Sequence, residues 1–195
     1  MRNRLLFLSL VATLFATTLL SQERPEGPSA PKKPEYASEV FAIFPSGYDQ
    51  LIGKAGLVVR VRIIASEPKI VQNPNSYPIG WTVHTAQVLD TVKGHAGKTI
   101  RFEQRASRIE TENYVVTTEG QEPLLLNHEY LVFLTPKDKG NGYFLTFERD
   151  SVFEMERGAV RPFGVSQVAR DHAGMSEHRF MRELRDRVSR LEVQK

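Results

Sequence analysis

Alternation of apolar and polar residues dominates the middle of the chain. In Leu57–Ala65, Leu57, Val59, Val61 and Ile63 share one face, with Arg60 and Arg62 on the other, the period of a strand. Trp81–Val92 is a second strand whose alternation slips near Thr85–Val88, which predicts a bulge. Between them, Ser66–Gly80 holds three prolines and two asparagines and predicts a long loop. The two glycines of Lys93–Lys98 make a reversal into a third strand, Thr99–Arg105, with Ile100 and Phe102 inward. Residues 106–128 are polar, with one extended piece at Asn113–Thr117. Tyr130–Leu134 is apolar throughout, as for a strand buried on both faces. A turn at Asp138–Gly142, a strand at Tyr143–Phe147 and a hairpin of Ser151–Glu156 with Ala159–Phe163 complete the set. The expected core is Leu57, Val59, Val61, Ile63, Ile100, Phe102, Leu131, Phe133 and Leu145.

Two segments carry the helical period instead. Tyr48, Leu51, Ile52 and Ala55 predict a short helix over Ser46–Ala55, capped by Ser46 and stopped by Gly56. Ser176–Val193 predicts a longer amphipathic helix, with Phe180, Met181, Leu184, Val188 and Leu191 on one arc and Ser176 as cap. Its opposite face gathers Arg179, Arg182 and Arg190, interrupted by Glu183 and Asp186. Short strands with glycine-bearing turns argue for a mainly β fold, a small barrel or strongly coiled sheet closed by a helix.

The N-terminus follows a different pattern. Arg2 and Arg4 precede an uncharged stretch, Leu5–Leu20, and small residues follow, which predicts a bacterial secretory signal peptide over residues 1–22. The alternative is an uncleaved membrane anchor through residues 5–20, because no A-x-A site precedes Gln22. A Pro-rich linker is expected over 23–45, the β-barrel domain over 46–163, and a linker with the C-terminal helix packed on the barrel over 164–195.

Charge narrows the partners. The whole chain is +3, but without Arg2 and Arg4 it is +1, too near neutral to recruit nucleic acid by electrostatics. Residues 23–156 carry a net −3 and residues 157–195 a net +4, so the basic surface is C-terminal. With no cysteine, disulfides, thiolate metal sites, cysteine nucleophiles and a lipoprotein signal are all excluded, and stability must come from the core.

The order of a short helix, Leu-Val-Val-Arg-Val-Arg, a strand ending Val-Leu-Asp-Thr-Val-Lys-Gly, Gly-Lys-Thr-Ile-Arg-Phe, and Glu-Tyr-Leu-Val-Phe-Leu resembles a class of exported bacterial β-barrel domains. These are similar to the OB-like barrels of netrin-type modules and tissue inhibitors of metalloproteinases. The resemblance covers residues 46–163 and implies a small OB-like β-barrel with a short N-terminal helix and a C-terminal amphipathic helix. It implies no activity, since those inhibitors act through an N-terminal cysteine that this chain lacks.

Candidate chemistry is sparse. His128-Glu129 lacks the second histidine of a zinc helix, and His172 and His178 lie six apart with no third ligand. His84 reads as a hydrogen-bonded wall residue, and His95 as a solvated one. No serine sits in a G-x-S-x-G elbow, and no Gly-rich phosphate loop precedes a helix. The carboxylate pairs Glu110/Glu112, Glu119/Glu122 and Glu154/Glu156 read as solvated faces rather than glycosidase pairs. No catalytic residue, metal or cofactor is therefore expected. OB-type barrels take sugars or single-stranded nucleic acid on their second and third strands, where Tyr77, Trp81, Phe102 and Tyr114 are candidates for a ligand groove. Arg179, Arg182 and Arg190 are candidates for a basic contact face.

The leading expectation is a non-catalytic, exported (periplasmic or extracellular) module of the bacterial cell envelope. It would bind a protein or an anionic envelope component, without nucleic acid, and touch membrane only through an uncleaved N-terminus. One alternative is an envelope hydrolase with its site in the 66–80 or 106–128 loops; another is a membrane-anchored structural spacer.

Overall fold

The computed structural model describes residues 33–38, 44–72, 77–138 and 142–194. The expected leader, residues 1–22, lies outside them, as does much of the expected linker. Among the described residues no helix is long and apolar enough to cross a membrane.

The fold is mainly β. Ten strands are described: β1 (Glu35–Ser38), β2 (Leu57–Val71), β3 (Ile79–Lys93), β4 (Thr99–Arg105), β5 (Arg108–Glu110), β6 (Val115–Thr118), β7 (Glu129–Pro136), β8 (Tyr143–Leu145), β9 (Val152–Glu156) and β10 (Ala159–Pro162). Three α-helices accompany them, α1 (Tyr48–Lys54), α2 (Gln167–His172) and α3 (Glu177–Val193). Strand β2 pairs antiparallel with β3 and β7, β3 with β4, β4 runs parallel to β8, and β8 returns antiparallel to β7. These five strands close a ring, in line with the expected small closed sheet. The second edge of β7 is divided, with Tyr130–Val132 pairing β9 and Leu134–Pro136 pairing β8.

Alternation along β7 builds two cores at once. Tyr130, Val132 and Leu134 point into the ring with Leu57, Val59, Val61, Ile63, Ile100, Phe102 and Leu145. Leu131 and Phe133 point outward, onto Tyr48, Leu51 and Ile52 of α1 and Phe180 and Leu184 of α3. Every expected core residue is buried, and the wholly apolar run is a strand covered on both faces. Helix α3 therefore covers a side wall. Phe180, Met181, Leu184 and Val188 are buried there, with Leu191 partly so. Lys93 donates to the carbonyls of Ile52 and Ala55, at 2.6 and 2.5 Å, closing the C-terminus of α1 onto β3. Only glycine fits at residue 94, where φ is +77° and a Cβ would lie 2.6 Å from the Gly56 carbonyl oxygen.

Several expectations are corrected. Ser66–Val71 and Ile79–Gly80 are strand, not loop, and form the tip of a hairpin of two fifteen-residue strands, with residues 73–76 outside the described set. Proline is tolerated at 68 because β7 pairs β2 only up to Arg62, leaving Pro68 with one neighbour, Thr82. The expected irregularity near Thr85–Val88 is present: the register skips Ile64 of β2 opposite Thr85 and Ala86, and skips Leu89 of β3 next to Val88, with a further shift at Val92. In the expected linker, Glu35–Ser38 pairs parallel with β6, which also pairs β5, making a small separate sheet. Gly47 stands at the N-cap of α1 in place of Ser46, whose own backbone N–H is taken by the Gln50 side chain. Ser176 is the N-cap residue of α3 but makes no side-chain capping bond.

Candidate functional site

Among the described residues, no helix covers the wall of the ring made by β3, β4 and β8. Cross-strand register aligns Lys69, Trp81 and Arg105 in one row, Glu67, Val83, Glu103 and Phe144 in the next, and Ala65, Thr85 and Arg101 in a third. Opposite residues in a sheet project on one side, so these side chains make a single outer face across β2, β3, β4 and β8.

An aromatic pair sits at its centre. The Trp81 and Phe144 rings are 5.7 Å apart and inclined at 50°. The Arg105 guanidinium lies 5.2 Å from the Trp81 ring, and the Lys137 ammonium 4.8 Å from the Phe144 ring. Beside them Glu103 is buried, and its Oε1 accepts from Lys69 at 2.9 Å and Lys137 at 2.7 Å. Burial alone would raise the Glu103 pKa. The hydrogen bonds and charges of Lys137 and Lys69 outweigh it and hold the carboxyl below its usual range. At Glu148 the balance is reversed: burial raises its pKa, and Arg105, 3.9 Å away, only partly offsets that.

The surface here is concave. A depression of about 310 Å³ is lined by Lys69, Phe102, Glu103 and Lys137, and an adjoining one of about 620 Å³ by Thr85, Thr99, Ile100 and Tyr143; Arg101, Lys137 and Gly142 belong to both. Four cations, Lys69, Arg101, Arg105 and Lys137, face three carboxylates, Glu67, Glu103 and Glu148. An ammonium has three donors, and Glu103 takes one from each lysine, so the face keeps donor capacity toward a ligand.

The four groove candidates are not brought together. Trp81 lies on this wall. Phe102 is 1% exposed with its ring in the core, 5.2 Å from His84. Tyr77 and Tyr114 instead flank Tyr36 of β1, with ring centroids 5.3 and 5.6 Å away. The basic face of α3 is divided too. Arg179 is held by Glu183 at 2.7 Å, while Arg182 lines a cleft with Arg60, Arg185 and Asp90, and Arg190 is exposed. Arg185 and Arg187 tie α3 to Asp90 and Asp49. Phe144 has no local signal because β8 is short and pairs parallel with β4, while Arg105 ends β4 and Lys137 follows β7 with nothing in their neighbours to mark the rings they meet. Among the histidines, His84 is buried and hydrogen-bonded to Ser66 and Gln104, His128 pairs with Glu154 at 2.6 Å, and the Nδ1 of buried His172 bonds the Val168 carbonyl.

A scan against protein-family models finds no match, and no curated protein matches this sequence. The functional reading therefore stands on the geometry of this chain.

Proposed function

We propose that this protein is a non-catalytic, exported binding module of the bacterial cell envelope, and that its uncovered β3–β4–β8 wall takes an anionic saccharide. The observation that carries the reading is the Trp81–Phe144 pair set between two cations. An aromatic platform receives the apolar face of a sugar ring, while Arg101 and Lys137, lining both halves of the depression, meet a carboxylate. The arginine face of α3 is the weaker contact surface, since Arg179 is already paired. Export rests on the charged start and apolar run of residues 1–22. Mass spectrometry of the cell-derived protein is expected to find a start near Ser21–Glu23; a membrane-extracted chain starting at Met1 supports the anchored spacer instead.

Trp81 is the only tryptophan in the chain, so its emission reports on the wall without labelling. Titration with an oligogalacturonate is expected to change that emission saturably and more weakly as salt rises. A neutral oligosaccharide of equal length should act much less, and Arg101→Ala with Lys137→Ala should abolish the response. Emission indifferent to the acidic oligosaccharide overturns the reading.

A further inference from the structure

Ser66 and His84 face each other across β2 and β3, on the side opposite Lys69 and Trp81. The hydrogen bonds around them form a directed chain whose sense is fixed at its far end. The backbone carbonyl of Glu122 can only accept, so Gln104 must donate to it through Nε2, at 2.8 Å. That turns the Gln104 Oε1 toward His84 Nε2, 3.0 Å away. An amide oxygen also only accepts, so His84 carries its proton on Nε2 and presents a lone pair at Nδ1. The Ser66 Oγ lies 2.8 Å from that nitrogen and donates to it. His84 and Gln104 are each 1% exposed, whereas Ser66 is open to solvent. Burial also lowers the His84 pKa, keeping the ring neutral at physiological pH.

We propose that Ser66 is a nucleophilic hydroxyl, activated by His84 and with the imidazole positioned by Gln104, that accepts acyl or phosphonyl groups from activated esters and fluorides. The Ser66 oxygen attacks the acyl carbon or the phosphorus. The new O–C or O–P bond forms as the bond to the alkoxide, phenolate or fluoride breaks. The hydroxyl proton passes to His84 Nδ1 and departs with the leaving group, so the adduct is a seryl ester. This goes beyond the groove reading: a different face of the hairpin carries it, and it gives the chain a covalent capture site at the edge of the segments where a hydrolase would place its centre.

The test is to treat the purified chain with a fluorophosphonate and, separately, with 4-nitrophenyl acetate, and to map adducts by peptide mass spectrometry. Ser46, Ser176 and Ser189 are exposed serines with no histidine bond among the described residues, and they serve as internal controls. Ser66 is expected to label at least about tenfold faster than any of them, as general-base assistance of this kind gives. Ser66→Ala should keep the fold, with a modest drop in melting temperature because His84 Nδ1 loses its partner, and should lose the adduct. His84→Gln should label as slowly as the controls; should that variant melt early, the selectivity within the wild-type chain decides. For Gln104, nitrogen-15 imidazole shifts are expected to show the Nε2–H tautomer in the wild type and a mixture in Gln104→Leu. No adduct, adducts spread evenly over the surface serines, or a wild-type Nδ1–H tautomer overturns the proposal. Because Ser66→Ala leaves the Trp81 wall intact, failure here is distinguishable from failure of the saccharide reading.

Discussion

The ring's two walls share strands and pleat but meet opposite surroundings. On one side β7 sends Leu131 and Phe133 outward under α1 and α3, where they are fully buried. On the other, β3, β4 and β8 send out Trp81, Glu103, Arg105 and Phe144, and no helix among the described residues covers them. A strand whose outer residues are apolar recruits a helix, because burial is favourable in proportion to apolar area. A strand whose outer residues are charged and aromatic has no such demand and stays uncovered. The covered wall supplies stability and the open wall is the proposed surface for recognition, and substitutions should sort accordingly.

The largest effect belongs to the covered wall. Phe133→Ala removes a ring packed edge-on to Tyr48 and Phe153, 6.1 and 5.8 Å between centroids, and should cost about 3–5 kcal/mol in denaturant unfolding. A loss below about 1 kcal/mol would mean that α1 and α3 do not pack there as described. Gly164→Ala comes next. A Cβ at 164 would fall 2.1 Å from Asp150 Oδ1, which accepts the Ser166 N–H at 2.9 Å next to α2, so a cost of about 1–3 kcal/mol is expected from calorimetric melting.

The strand pattern was legible where one physical demand acted alone. Leu57, Val59, Val61 and Ile63 alternate because one face is dry, and the unbroken run at Tyr130–Leu134 announced two dry faces. The hairpin tip was illegible because prolines usually mark loops, and only the pairing shows that Pro68 sits where β2 has a single neighbour. The open wall was half legible. Trp81 stood out as an aromatic on a second strand, but Phe144 and Lys137 reach it through non-local pairing, and Phe102 has the same composition signal while facing inward. The Ser66–His84–Gln104 chain spans three strands with no fixed spacing, so no motif could reveal it.

Acid should act on the molecule in two stages. His84 has its folded pKa lowered, so its contribution to stability is complete above the ordinary histidine value of about 6.5 and is lost as pH falls through the folded value. Glu103 and Glu129, also lowered, behave alike further down, below the ordinary carboxylate value of about 4.3. Melting temperature should therefore decline first below about pH 6.5 and again in the carboxylate range. His84→Gln should remove the first decline and Glu103→Gln should weaken the second; an unchanged profile in both variants would contradict the burial and pairing assigned to them.

The smallest effect is expected at Arg179, Arg182 and Arg190. Changing all three to Gln should alter stability by less than about 1 kcal/mol and leave the response of Trp81 to acidic saccharide intact. A lost response would transfer recognition from the open wall to α3.

The most direct test is an amide chemical-shift map of the chain titrated with oligogalacturonate. The account predicts saturable shifts at Trp81, Val83, Arg101, Glu103 and Phe144, with Leu131, Phe133, Phe180 and Leu184 unmoved. Shifts confined to α3 and the covered wall, or none on β3, β4 and β8 at saturating ligand, would contradict it.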